Sequence, residues 1–314
     1  MSKNNFDPKT YYAMALDPIH VGTGGYRLGR VDNTIVREPG TNLPKIPGTS
    51  LSGVTRTYLA MQVEGKYPRC AGQGQEKKDE PTSGHCGKED CLVCTTFGFS
   101  KKQNSFSGLA NFSDMHVMLF PVGSMQGPVW ITSPGQLSII GDGQKMPSVS
   151  ENKVKLSKGL NSPINLGWLL LESEGAIDEI ETDESIPNDI KARIVLVSNK
   201  LFGQIVKTNL EVRTSVAIDP ATGAADDGAL FTYEAIPRST IFCFDVVCQS
   251  PAYYRIGGKE ITAFQSNNSN SISSVRDAVE KGFCHLEYLG IGGMNSRGMG
   301  RMKVLNIGGN KNGA

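Results

Sequence analysis

Asp32 is an acid set among bases. Residues 20–56 read HVGTGGYRLGRVDNTIVREPGTNLPKIPGTSLSGVTR, where Arg27, Arg30, Arg37, Lys45 and Arg56 meet only Asp32 and Glu38. Five cations against two anions leave a local excess of three in a chain of formal net charge +1. Arginine neutralises phosphate charge, and glycine lets a main chain come close to it. A lone carboxylate is out of place on a surface built only to hold phosphate. It suits a place where a metal ion or a proton is handled beside a phosphodiester. Taken alone, Asp32 reads first as a turn residue, and His20 and His116 as hydrogen-bonded structural histidines.

Four of the seven cysteines, Cys70, Cys86, Cys91 and Cys94, fall within 25 residues. The short loop of Cys91-x-x-Cys94 points two thiolates the same way, which makes it a metal hook. Cys86 and a fourth donor, either Cys70 or His85, would complete a tetrahedral zinc site. Such a site has no open position, so its zinc is structural and folds a segment with little core of its own. Cys243, Cys248 and Cys284 sit in apolar stretches and are expected in the core.

A third cluster is GIGGMNSRGMGR, residues 290–301, with five glycines and two arginines, Arg297 and Arg301. Successive backbone N–H groups and arginines can grip phosphates. No Gly-Lys-Ser/Thr follows, so the segment is not a nucleotide P-loop. It is expected between two strands, which also departs from the dinucleotide-binding pattern, where a helix follows. Read blandly, it is a mobile hairpin turn. Nothing points to a nucleotide or flavin cofactor.

The elements that must position these groups follow from periodicity and composition. At 314 residues, 39% hydrophobic and 20% charged, the chain reads as globular. No run approaches the ~18–20 apolar residues that span a bilayer, and MSKNNFDPKTYY lacks the apolar core of a signal peptide. No membrane partner and a cytoplasmic address are the expectation. Eight acids without a base in residues 172–189 read as a solvated linker or helix face.

Strands are predicted at 10–17, 115–121, 194–198, 239–247, 285–289 and 301–307. Helices are predicted at 50–63, with Ser50 as cap and Leu51, Val54, Tyr58 and Met61 on one face, at about 199–207, and at 272–282. Residues 65–108 read as a Cys-rich insertion. Residues 208–237 read as a long hairpin around the turn DPATGAADD, with few core partners, so that it projects. The tail NIGGNKNGA reads as disordered. The expected fold is one α+β domain over 1–314, with helices on one face of an antiparallel sheet in a split β-α-β layout of the ferredoxin or RNA-recognition type.

Taken together, HVGTG, GRVDNTIVRE, LPKIPGTSLSGVTR, VMLFPVGSMQGPVWITSP, INLGW, EVRTSVAIDPATGAADDGALFTYEAIP and GIGGMNSRGMGRMKV resemble the RAMP superfamily of type III CRISPR effectors. They run in order along nearly the whole chain and are most similar to the target-RNA-cleaving backbone subunit of the type III-B (Cmr) complex. The resemblance implies an RNA-recognition-like palm with the 208–237 hairpin as a thumb. It implies copies stacked along a CRISPR guide RNA as a helical filament, with other type III subunits, and thumbs that interrupt the guide–target duplex at regular intervals. The family's cleaving aspartate falls on Asp32. Its chemistry would be metal-dependent, with Mg2+ or Mn2+, by attack of the 2′-hydroxyl or of water on the adjacent phosphate. Guide binding carries over to Lys45, Ser50, Arg56, Gly292, Gly293, Arg297 and Arg301, with Arg37 as a further candidate. Ser52 stands where many relatives have lysine, and Arg56 or Lys45 would compensate. The cysteine cluster is more typical of the type III-A backbone subunit.

Two other readings compete. One is a scaffold subunit that binds guide RNA without cutting, which retention of Asp32 argues against. The other is a precursor-processing ribonuclease, which usually relies on histidine or tyrosine chemistry and lacks the hairpin.

Overall fold

The computed structural model describes residues 5–24, 31–72, 84–101, 104–139, 147–177, 180, 182–265 and 272–307. Arg27, Arg30 and the tail beyond Ile307 lie outside them. The chain opens with β1 (Phe6–Ala15), then β2 (Lys45–Ile46), α1 (Gly48–Gln62) and α2 (Leu92–Phe97). Next come β3 (Ala110–Phe112), β4 (Met115–Val122), β5 (Val129–Thr132), α3 (Pro134–Leu137), β6 (Lys153–Leu156), β7 (Ile164–Leu166) and β8 (Leu169–Ala176). After α4 (Asn188–Lys191), β9 (Ile194–Leu196) and α5 (Asn199–Thr208) follow β10 (Glu211–Ile218), β11 (Ala225–Ala235) and β12 (Ile241–Gln249). The small hairpin β13 (Arg255–Ile256) and β14 (Lys259–Glu260) precedes α6 (Val275–Phe283), α7 (Leu286–Leu289) and β15 (Met302–Val304).

The fold is α+β: a large mixed sheet with few helices. Its strands run β15-β1-β12-β4-β5-β9-β6-β8-β7, with β2 also on β4 and β3 also on β12. The pairs β5–β9 and β6–β8 are parallel, so the sheet is not the purely antiparallel one expected. Its centre is buried on both faces, which explains the nearly continuous apolar run of IFCFDVV. Tyr11, Phe242 and Phe244 point into one core, while Tyr12, Ile241 and Cys243 point into the other. The first core is covered by α1 and α6 and holds Tyr11 stacked on Phe244, with Phe283 edge-on to both. Each such buried aromatic contributes about 2 kcal/mol by area. The second core is closed by Leu137, Ile186 and Ile190 from α3, α4 and the turn before it.

The departures from expectation have local causes. The first helix starts two residues early, after Pro47, and Ser50 is not its cap. Instead Asp114 Oδ1 accepts the Gly48 N–H at 2.8 Å, a cap from a distant turn. At 3.6 residues per turn Leu51, Thr55, Tyr58 and Leu59 form the buried face, and Met61 falls off it and is exposed. Gly282 lets α6 cross α1 closely, because a Cβ there would lie 2.6 Å from Thr55 Cγ2. Residues 285–289 are not a strand: the helical turn α7 follows α6 directly and buries only Leu286. The glycine-rich cluster therefore joins a helical turn to β15. Cys243 and Cys248 are buried, but Cys284 is exposed at the C-cap of α6. Part of the acidic run is strand, with Glu172 and Glu174 on the exposed face of β8; Asp178, Glu179 and Glu181 lie outside the described residues.

The strands β10 and β11 form their own two-stranded sheet, in register Val212↔Glu234, Thr214↔Thr232 and Val216↔Leu230. Among the described residues no helix is long and apolar enough to cross a membrane.

Candidate functional site

Asp32 lies in a loop laid along β11. Asn33 bridges Tyr233 in parallel, with its N–H on the Thr232 carbonyl and its own carbonyl accepting from Glu234 N, both at 3.0 Å. Asp32 is fixed by one residue of that strand. The Thr232 N–H and hydroxyl donate to Asp32 Oδ2 at 2.8 and 2.7 Å, and Thr232 Oγ1 accepts the Asp32 N–H at 2.9 Å. The backbone N–H of Thr232, then its hydroxyl, hold the Asp32 carboxyl below the usual carboxylate range. Asp32 is therefore an oriented, partly exposed anion at neutral pH. Removing the hydroxyl alone should loosen it. Thr232→Val, which keeps the backbone donor, should slow an Asp32-dependent reaction about tenfold at unchanged fold, the loss of about 1–1.5 kcal/mol of hydrogen bonding. Single-turnover rates check this.

Two rungs along β11, Glu234 serves the same loop. Its Oε2 accepts the Ile35 N–H at 3.3 Å, and its Oε1 pairs with Arg37 Nη2 at 2.6 Å. Glu234 is buried, and Arg37 is largely so. His20 Nδ1 donates to the Glu234 carbonyl at 2.6 Å, and its ring meets Tyr233 edge-on. The His20 carbonyl accepts the Gly293 N–H at 2.8 Å. A Cβ at Gly292, which has φ +84°, would collide with that same oxygen. The glycine-rich segment is thus packed onto His20, in the stretch after β1 that precedes the Asp32 loop. Tyr58 of α1 donates to the Gly290 carbonyl at 2.6 Å, and Arg213 of β10 donates to the Gly298 carbonyl at 3.2 Å.

The cations singled out by sequence have unequal freedom. Lys45 Nζ lies between Asp114 Oδ2 at 2.6 Å and Glu38 Oε2 at 2.8 Å, and these acids, Asp114 first, raise its pKa. Arg301 grips Asp17 with Nε and Nη2 at 2.5 and 3.1 Å. Gly292, Gly293 and Arg297 are exposed together on the glycine-rich loop, and Ser50 is partly exposed in the first turn of α1.

The cysteine cluster is a closed group. The sulfurs of Cys70, Cys86, Cys91 and Cys94 all lie within 4.8 Å of one another. Cys86 and Cys94 are 3.6 Å apart, and Cys70 and Cys91 3.9 Å. Tetrahedral thiolate zinc, with bonds of about 2.3 Å, needs sulfur–sulfur edges of about 3.8 Å, so these donors fit it. His85 is not in the group. Its Nδ1 accepts from Arg56 Nη2 at 2.8 Å, and its pKa is pushed down to about 4 by burial and then by that guanidinium. The fourth donor that spacing left open is Cys70. Among the described residues no carboxylate cluster of comparable closeness exists. A Mg2+ or Mn2+ ion at Asp32 would therefore take its other ligands from phosphate and water, as such ions commonly do.

Sequence reasoning missed Thr232, Glu234, Asp114 and Asp17. For the first two a signal exists: period-two alternation puts Thr232 and Glu234 on one face of β11. Asp114 and Asp17 carry no such pattern.

Residues 12–303 match the RAMP superfamily. The Cmr endoribonuclease Cmr4 of Pyrococcus furiosus is 24% identical over 312 residues, 92% of each chain. A Csm3 endoribonuclease of Methanothermobacter thermautotrophicus is 34% identical over 92 residues, 29% of this chain and 32% of that one. Among solved structures, a chain of the type III-B Cmr-beta complex bound to cognate target RNA superposes with TM-score 0.65 at 15% identity, covering 95% of this chain and 96% of that one. Oligomeric Cmr4 from Pyrococcus furiosus gives TM-score 0.56 at 18% identity, covering 96% and 98%. At such identities these structures establish likeness of fold. With a match along nearly its full length, the chain belongs to the RAMP superfamily.

Proposed function

We propose that this chain is a guide-RNA-binding filament subunit of a cytoplasmic type III CRISPR effector complex, and that it cleaves complementary target RNA at regular intervals with Asp32. Its partners would be guide RNA, target RNA, further copies of itself and other type III subunits. The reading is supported by relatives that are named endoribonucleases of such systems and by structural neighbours that include a target-RNA-bound complex and an oligomer. The single observation that carries the assignment of Asp32 is its carboxylate, held ionised by two donors of Thr232 at the edge of the β10–β11 hairpin.

In the proposed reaction the 2′-hydroxyl of the target ribose gives up its proton to solvent, its oxygen attacks the adjacent phosphorus, and the bond to the 5′-oxygen breaks, with that oxygen taking a proton from solvent. A cyclic phosphate and a free 5′-hydroxyl result, and no water is consumed. A carboxylate with a lowered pKa is a poor proton acceptor. Its role is electrostatic: Asp32 would hold a divalent cation, Mg2+ or Mn2+, that neutralises the charge developing on the phosphate. The hairpin would act as the thumb that displaces a target nucleotide beside Asp32, on an RNA-recognition-like palm. A structural zinc would be held by Cys70, Cys86, Cys91 and Cys94 within the 65–108 insertion.

Guide contact is assigned to the exposed group Gly292, Gly293 and Arg297, with Ser50 at the head of α1. Lys45, Arg37 and Arg301 are each paired with acids and would reach phosphate only by sharing them. Arg297→Ala should weaken guide binding and make the slope of log K against log salt shallower by about 0.7, one single-strand phosphate contact. An unchanged slope would take the loop out of the RNA path.

The test of the function is target-RNA cleavage by the guide-loaded assembly, with Mg2+ and with EDTA. Regularly spaced products that vanish with the chelator support the reading. Bound but intact RNA under every condition would make the chain a scaffold.

A further inference from the structure

Arg56 belongs to the cysteine cluster. Its guanidinium makes three hydrogen bonds, each to a different stretch of chain. Nε donates to the Cys70 carbonyl at 2.7 Å, Nη2 to His85 Nδ1 at 2.8 Å, and Nη1 to the Gly98 carbonyl at 2.8 Å. Cys70 is itself a donor of the cluster, His85 precedes the donor Cys86, and Gly98 caps the C-terminus of α2, which carries Cys94 and has Cys91 as its N-cap. One side chain therefore ties together all three segments that supply sulfur. Next along α1, Thr57 Oγ1 adds a bond to the Ala71 carbonyl at 3.0 Å.

Charge gives the same answer. Four thiolates around a dication carry a net charge of −2, which a partly buried site must offset. Arg56 is half-buried, and all four cysteines lie within its electrostatic reach. Lys101 Nζ reaches the Cys86 carbonyl at 3.4 Å, and Lys66 lies within reach of Cys91, Cys86 and Cys70. A guanidinium that spends three fork positions inside the protein is poorly placed to grip a phosphate as well.

We infer that Arg56 is not a guide-RNA ligand but the outer-sphere positioning residue of a tetracysteine metal site: it fixes the three ligand-bearing segments and offsets the thiolate charge. The inference rests on the zinc reading proposed above. It departs from the RNA-binding role that family resemblance implies for this position.

The test uses the full-length chain as purified. Zinc content is measured first by elemental analysis, and zinc release is then followed with a chromophoric chelator for wild type, Arg56→Met and Arg56→Lys. Outer-shell losses commonly cost 10–100-fold in metal affinity, so Arg56→Met should release zinc about 10–100 times faster. Arg56→Lys, which keeps the charge without the three-way fork, should fall between. Substituted with Co2+, Arg56→Met should shift the thiolate-to-cobalt charge-transfer band to lower energy, because sulfur loses a nearby cation. Loss of packing alone would not produce a shift that lysine reverses. The salt slope of guide binding should stay at its wild-type value. If Arg56→Met is insoluble, Arg56→Gln makes the same comparison. A zinc-bearing wild type with unchanged release in the variants, or a slope shallower by about 0.7, overturns the role of Arg56 alone. A zinc-free wild type overturns the metal reading and the role with it.

Discussion

Guide-loaded assemblies carrying Asp32→Ala should bind target RNA and leave it uncut, with cleavage slowed at least about a hundredfold, or about 2.7 kcal/mol of barrier. Binding and assembly should survive for a structural reason. Asp32 is partly exposed, and Thr232, its partner, remains held by the strand pair Thr214↔Thr232. The loop keeps its bonds through Asn33 and through Glu234. Asp32→Asn separates charge from shape. An asparagine oxygen can still accept from Thr232, so the loop stays in place while the anion is gone. Equal cleavage by the asparagine variant and wild type would show that the anion is not the agent, and the electrostatic role would fall. The chelator supplies a second check. If Asp32 acts by holding a cation, EDTA and Asp32→Ala remove the same contribution and their effects should not multiply. The pH dependence has a definite sign. A carboxyl with its folded pKa lowered is ionised above the usual carboxylate range and protonates only below it. Any loss of rate between about pH 8 and pH 5 must then come from another group.

The contrast between what the chain announces and what it conceals follows from the range of the forces involved. Apolar periodicity is local, so the strand around 115–121, the amphipathic run ending near Lys207 and the two arms flanking DPATGAADD are legible before any coordinates. The segment HLEYL has strand formers but no room to be a strand, because α6 ends only two residues before it and helical bonding runs on. Charge is legible as a count but not as a pairing. The local excess of three in residues 20–56 looks like an RNA-facing stripe. In the fold, Asp114 takes Lys45, Glu234 takes Arg37, and the cysteine knot takes Arg56. Those partners lie 69, 197 and 14 residues away, and no spacing rule reaches the first two. The same limit hid the environment of Asp32, whose only side-chain donor among the described residues sits 200 residues along the chain. What remains exposed and cationic after these pairings is narrower than the sequence suggested, and Arg297 is its clearest member among the described residues. The fourth metal donor was open for a related reason. Cys70 and His85 are equally plausible by spacing, and the fold separates them by bringing the Cys70 sulfur among the other three while His85 Nδ1 is taken by Arg56.

Wild-type protein should carry one zinc per chain, and Cys91→Ser should carry almost none and lose protease resistance between residues 84 and 101. Cys91 is fully buried at the head of α2, where its sulfur also accepts the Cys94 N–H at 3.5 Å. The helix α2 is six residues long, too short to hold itself in water. Its neighbours Cys70 and Cys94 are as deeply buried as Cys91. Without a metal, four sulfurs at these separations are either repelling thiolates or thiols with little to hold them. Structural zinc contributes on the order of 10 kcal/mol to comparable small sites, well above the stability that a loop of this length can draw from its own core. Serine is somewhat smaller than cysteine and removes the soft ligand, so a chelator is what separates loss of the metal from a change of packing. Treatment of wild type with a strong chelator should reproduce the loss seen with Cys91→Ser. A wild type without zinc, unaffected by the chelator, would reduce the cluster to packed thiols. The damage should also stop short of Asp32. Neither its loop nor β11 supplies a residue to the knot; the loop is tied instead to Thr232 and Glu234 of β11, and β11 to His20. At temperatures where the remaining core holds, Cys91→Ser should therefore lose its zinc yet keep the Asp32 carboxylate in place, and residual cleavage by that variant would show that the metal knot and the cutting site are separate units of one chain.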